Sequence, residues 1–185
     1  MIRKILLTSA GFSNKNIEKL FLTLVGIEPQ YVKALFIPTA AINDDSKAML
    51  PYCRQDLTHA GILDKNIITY NLDRPLDFEY ARQFHTIYFC GGDPQYLINS
   101  INEVGFHLLL DKLLDHGVIY IGVSAGSIVA TTDLSEGLHY INCKLHVHQE
   151  YGTPCGKLQT ANCPVVSLTN NQAILIMDNE ISIIE

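Results

Sequence analysis

The chain has no tryptophan, no basic run longer than the pair Arg3-Lys4, no C-x-x-C pair and no apolar stretch longer than a strand. Each absence removes a class of function. With 13 basic against 19 acidic side chains, and a formal net charge of −6, the chain has no electrostatic reason to bind nucleic acid or an anionic membrane surface. Without a long apolar run it has no transmembrane helix, and the apolar segment after Met1 is too short for a secretory signal and leads directly into a strand pattern. Five cysteines, an odd number, suit reduced thiols better than a disulfide framework, so a cytoplasmic location is expected. Cysteine and histidine do not fall at metal-ligand spacings, so neither a metal nor another cofactor is expected. What the chain does have is core-forming material: 185 residues, 48% hydrophobic and only 17% charged, enough for one well-buried domain spanning 1–185.

The apolar residues arrive in short runs separated by helical patterns. Strand-like runs occupy 3–8, 32–38, 66–71, 86–90 and 118–123, each rich in Ile, Val, Leu, Tyr or Phe. Helical patterns lie near 14–25, 45–60, 77–83, 94–101 and 105–116. Strands joined through helices cannot pair by tight hairpins, which predicts a mainly parallel sheet in a three-layer α/β sandwich of flavodoxin-like type. Gly26, Gly61 and Gly117 punctuate the helix ends, and Asp93-Pro94 reads as a helix start. Beyond residue 124 the pattern changes to shorter strands, about 139–147, 165–168, 173–177 and 181–184, with Asp178-Asn179 marking a C-terminal hairpin.

The run at 118–123 ends in Gly122-Val123-Ser124-Ala125-Gly126 and then turns helical. This is the pattern of a nucleophile elbow, where small residues permit a strained strand-to-helix turn with one serine at its apex. The same turn sets Ser124 at a helix N-terminus, where free N–H groups favour a developing oxyanion. Ser124 is therefore the candidate nucleophile. In an open parallel sheet chemistry collects at the carboxyl ends of the strands. Gly91-Gly92, after the fourth strand, is placed there as an oxyanion-hole element together with Ala125. A serine needs an imidazole to take its proton. His146 and His148 are the candidates downstream, two residues apart and so on one face if the segment is a strand.

The strings I-Y-F-C-G-G-D at 87–93 and I-G-V-S-A-G-S at 121–127, with F-I-P-T-A-A at 36–41 upstream, resemble the peptidase E family of serine peptidases, which also contains the cyanophycinases. The resemblance runs from Ile2 to about His148 and faintly to the end. It implies a fold related to class I glutamine amidotransferases and hydrolysis of a small peptide or amide substrate by a monomer or homodimer. It puts His148 in the place of the catalytic base, with His146 in reserve. It also calls for an Asp or Glu behind the histidine; Asp133 and Glu136 lie between serine and histidine in chain order and Glu150 lies two residues past His148, and of these Asp133 is the expected acid. Gln172-Ala173 resembles the family's terminal strand pair.

The resemblance has departures. Asp93 stands where the family's glycine pair is usually followed by asparagine, which adds a carboxylate on the substrate side. Family members that cleave after an N-terminal aspartate use basic residues after the histidine. Here residues 149–163 hold only Lys157, so a preference for aspartyl dipeptides is not expected. The alternatives are a catalytically degenerate relative that binds a ligand without turnover, an α/β-hydrolase, and a flavodoxin-like binding module.

Overall fold

The central apolar runs become strands because both of their faces are covered. The computed structural model describes residues 2–185, in the order β1 (Lys4–Thr8), α1 (Lys15–Val25), β2 (Ala34–Ile37), α2 (Asp44–His59), β3 (Ile67–Thr69), α3 (Phe78–Ala81), β4 (Thr86–Phe89), α4 (Pro94–Glu103), α5 (Phe106–Asp115), β5 (Ile119–Val123) and α6 (Ala125–Ile128). The chain then continues through β6 (Lys144–His146), β7 (Gly156–Lys157), β8 (Val165–Ser167), β9 (Ala173–Met177) and β10 (Glu180–Ile184). The main sheet runs β3-β2-β4-β5-β1-β9-β10-β7. Its first five strands are mutually parallel, and β9, β10 and β7 extend it antiparallel.

In β1 the two-residue side-chain period is read directly from the packing. Ile5 and Leu7 join the cluster that holds Leu97 of α4 and Leu110 of α5, whereas Leu6 joins the cluster of Ile17 on α1 and Leu57 on α2. The two clusters are the layers of the sandwich, separated by the sheet. A strand apolar on both faces reads as a continuous hydrophobic run, as these do. Helix α1 shows the complementary pattern. Ile17, Phe21 and Leu24 are buried at helical spacing, the Asn14 side chain accepts from Asn16 N, and Gly26 ends the helix at φ 71°.

The α/β part thus follows the expected order, and the C-terminal hairpin forms with Asp178 at φ 51° in its turn. One element differs. The strand expected over 139–147 shrinks to Lys144–His146. Residues 129–143 instead fold back on the end of α6, through Leu138 N to Val129 O at 2.7 Å and Tyr140 N to Ala130 O at 2.8 Å. Their Thr-Thr-Asp-Leu-Ser-Glu-Gly sequence supplies turn formers, not a β pattern. Strand β6 pairs in parallel with β8 in a separate two-stranded sheet, with His146 opposite Ser167.

Candidate active site

Ser124 has φ 49° and ψ −104°, a combination that a side chain rarely adopts and that costs on the order of 1–3 kcal/mol. The surroundings hold it there. Ser124 N donates to Thr8 O at 3.1 Å, Ser127 Oγ donates to the same carbonyl at 2.8 Å, and Tyr120 OH donates to Gly126 O at 2.5 Å. Tyr120 is fully buried and stacks on Phe89 at 4.8 Å between centroids, giving the elbow a rigid floor. The two glycines of the motif let strand and helix touch. A Cβ on Gly122 would stand 2.5 Å from Gly126 O, and one on Gly126 would stand 2.6 Å from Phe89 O.

His148 reaches the serine from outside the main sheet. Its Nε2 lies 3.1 Å from Ser124 Oγ and its Nδ1 lies 2.8 Å from Asn170 Oδ1. The residue sits two positions beyond β6 with φ 58°, so it is not on the strand line that His146 follows. The left-handed turn redirects its ring, and Ser9 Oγ, accepting from His148 N at 2.8 Å, anchors that turn. Ser9 itself is fully buried at the end of β1, beside the elbow. An Asn170 oxygen on Nδ1 requires the proton there, which leaves Nε2 free to accept from the serine hydroxyl. Asn170 lies in the turn between β8 and β9. Gln172 shapes that turn by accepting from Thr169 N at 3.2 Å and donating to Thr153 O at 3.1 Å.

Asp133, the acid expected from the resemblance, is not brought to His148. Its Oδ2 accepts from Leu145 N at 2.6 Å and its own N–H donates to Thr131 Oγ1 at 3.1 Å. It therefore serves the start of β6, whereas His148 follows the far end. Among the described residues no carboxylate hydrogen-bonds or ion-pairs with His148. His146 is exposed on β6 and does not meet the serine. Asn170 and Ser9 were missed in the sequence; the signal was the polar turn Thr169-Asn170-Asn171-Gln172, at the same strand-end edge as the serine.

Gly92 has φ 140°, and a Cβ there would stand 2.0 Å from Ala40 O, so only glycine fits. The N–H groups of Gly92 and Ala125 find no hydrogen-bond partner among the described residues. Gly91 lines the cleft as well, and a Cβ there would stand 3.3 Å from Ser124 Cβ. Asp93 also differs from expectation. Its carboxylate accepts from Tyr96 N at 2.8 Å, capping α4, and it does not line the cleft.

The cleft that opens beside Ser124 and His148 has a volume of about 250 Å³. Its walls come from the β1 loop, the Gly91-Gly92 turn and one face of α2, and no lysine or arginine lines it. Lys157 pairs with Glu180, Arg54 with Asp64 and Arg74 with Asp73, all away from the cleft. Among the described residues no cluster of side chains could hold a metal ion, and no helix is long and apolar enough to cross a membrane.

Comparison with known proteins agrees with this fold. A solved structure from Listeria monocytogenes EGD-e, assigned as a peptidase E, is similar at a TM-score of 0.76 with 19% identity, covering 100% of this chain and 99% of its own. A peptidase from an acI-B1 Actinobacterium is similar at 0.71 with 18% identity, covering 100% and 88%. No curated protein matches significantly. At such identities the likeness speaks for the fold alone. The family itself comes from the sequence, because the family model described as Peptidase family S51 matches residues 5–142, well over half of the chain and including the elbow serine. The chain therefore belongs to peptidase family S51, a family of serine peptidases.

Proposed function

We propose that the protein cleaves a peptide or amide bond with Ser124 as nucleophile and His148 as general base and then general acid, Asn170 orienting the imidazole. The contact that carries this reading is the 3.1 Å approach of His148 Nε2 to Ser124 Oγ at an elbow strained for that purpose. His148 takes the hydroxyl proton as Oγ attacks the carbonyl, and the oxyanion forms against the N–H groups of Gly92 and Ala125. The imidazolium then donates from Nε2 to the leaving amine, and water repeats the cycle to release the acid. An asparagine in the third position fixes ring and tautomer as the Asn of a Cys-His-Asn site does, without the countercharge of a carboxylate. That neutral partner is also the observation favouring the second reading, a relative that binds a peptide without turnover.

A fluorophosphonate probe decides between them. Labelling of the wild type at Ser124, lost in Ser124→Ala at an unchanged Tm, is the expected result. Failure of the wild type to label, or to hydrolyse any member of a dipeptide panel, favours the binding protein. Undiminished labelling of Ser124→Ala moves the nucleophile elsewhere.

A further inference from the structure

The walls of the cleft are apolar, but its floor is not. Helix α2 lays one face along it, with Met49, Tyr52 and Cys53 followed one turn deeper by Asp56. Asp56 Oδ2 is held by Tyr88 OH at 2.5 Å and Phe12 N at 3.0 Å. Oδ1 accepts no hydrogen bond among the described residues, and the carboxylate has no ion-pair partner. Glu18 of α1 repels it and His59 of α2 offsets part of that repulsion, but neither forms an ion pair with it. A half-buried carboxylate on the floor of an open cleft, with one oxygen unbonded and no ion-pair partner among the described residues, is the arrangement that receives a cation.

We propose that this cleft is a specificity pocket for a positively charged group of the substrate, an amine on an unbranched apolar chain, and that Asp56 is its specificity-determining residue. The inference rests on the serine-peptidase reading and assigns its substrate class. The apolar walls take the methylenes, as a lysine stem lies along apolar surface with its head at the charge. Met49 and Tyr52, both exposed at the rim, are positioned to cover that stem. An acidic side chain would instead meet Asp56 with no lysine or arginine in the lining to offset the repulsion.

The test compares isosteres that differ in charge. Dipeptides carrying lysine or norleucine at either side of the scissile bond are assayed on the wild type and on Asp56→Asn. The wild type is expected to favour lysine over norleucine at one of the two positions by on the order of tenfold to a hundredfold in kcat/KM, and Asp56→Asn to abolish that ratio. Should the variant misfold, the wild type alone suffices: n-butylammonium protects Ser124 from the fluorophosphonate probe and n-butanol, at equal concentration, does not. A lysine to norleucine ratio near one at both positions, or equal protection by amine and alcohol, overturns the proposal. Continued labelling of Ser124 in those experiments would show that the serine-peptidase reading survives it.

Discussion

His148 Nδ1 rests 2.8 Å from Asn170 Oδ1, a pairing made by two strands that lie side by side. Because β6 and β8 run parallel with His146 opposite Ser167, the chain two residues past one strand and three past the other emerges at the same edge. Loops after β1 close the arrangement, since Ser9 Oγ accepts from His148 N, and Ser13 Oγ donates to Asn170 O. The histidine is thus held on its backbone side by Ser9 and on its ring side by Asn170.

Replacing that amide separates orientation from charge. Asn170→Ala is expected to lower kcat on the order of a hundredfold with a small change in KM, because the imidazole loses its fixed tautomer and direction but not its contact with the serine. Asn170→Asp restores an acceptor on Nδ1 and adds a countercharge, so it is expected to recover kcat and to move the acidic limb of the kcat/KM profile to higher pH. Steady-state kinetics across pH on both variants read the two effects. A fall in thermal stability equal to the loss of rate would assign Asn170 a structural role only.

Asp133 supplies the contrast. Its carboxylate caps Leu145 N at 2.6 Å at the start of β6, so its removal is expected to weaken the fold and leave the chemistry in place. Asp133→Ala leaves a partly buried N–H unsatisfied, which costs about 1–3 kcal/mol. Chemical denaturation should show that loss while fluorophosphonate labelling of the folded variant continues. Abolished labelling at full stability would return Asp133 to the catalytic machinery.

How much of this was legible in the sequence depended on distance along the chain. The parallel sheet and its helices rest on local periodicity and caps, and these placed Ser124, Ala125 and Gly92 where they are found. The elbow is equally local, because two glycines five residues or fewer from a serine carry its geometry. The partner of His148 is not local. It is set by the register of β6 against β8, two three-residue strands with no periodicity to read, and an asparagine in a polar turn is ordinarily read as a turn former. Chain order points to Asp133, but the fold-back at 129–143 ties it to Leu145 N in β6 and away from His148. Asp93 satisfied its own local signal as a helix cap, and that use of its carboxylate withdraws it from the substrate side.

The half-buried Asp56 gives stability a pH dependence with a definite sign. Desolvation raises its pKa above the ordinary carboxylate value, with Tyr88 and Phe12 N offsetting part of the rise. The folded state therefore holds this proton to higher pH than the unfolded chain, and the stability tied to it is fully present below the unfolded pKa. It is lost as pH rises from that value through the raised folded one. Asp56→Asn should remove this decline from the difference curve of Tm against pH in the acidic range. An identical slope in wild type and variant would show that Asp56 titrates alike in both states.

Cys53 offers a chemical probe of the same cleft. It lines the cavity from α2, and a hydrogen bond from the Cys90 thiol, joined by the Gly91 N–H, holds its pKa below the ordinary thiol value. Cys90 is fully buried and its pKa is pushed well up by desolvation. Since the thiolate is the reactive form, iodoacetamide is expected to modify Cys53 far faster than Cys90. The added carboxamide would occupy the space beside Gly91 and slow fluorophosphonate labelling of Ser124, and Cys53→Ser should resist that inhibition. Exposed Cys155 will also react, so the site is assigned by peptide mapping and the inhibition by its loss in Cys53→Ser. Inhibition that persists in Cys53→Ser would place the sensitive thiol outside the cleft, and modification of Cys90 ahead of Cys53 would mean that α2 opens away from the sheet far more readily than its packing against β4 allows.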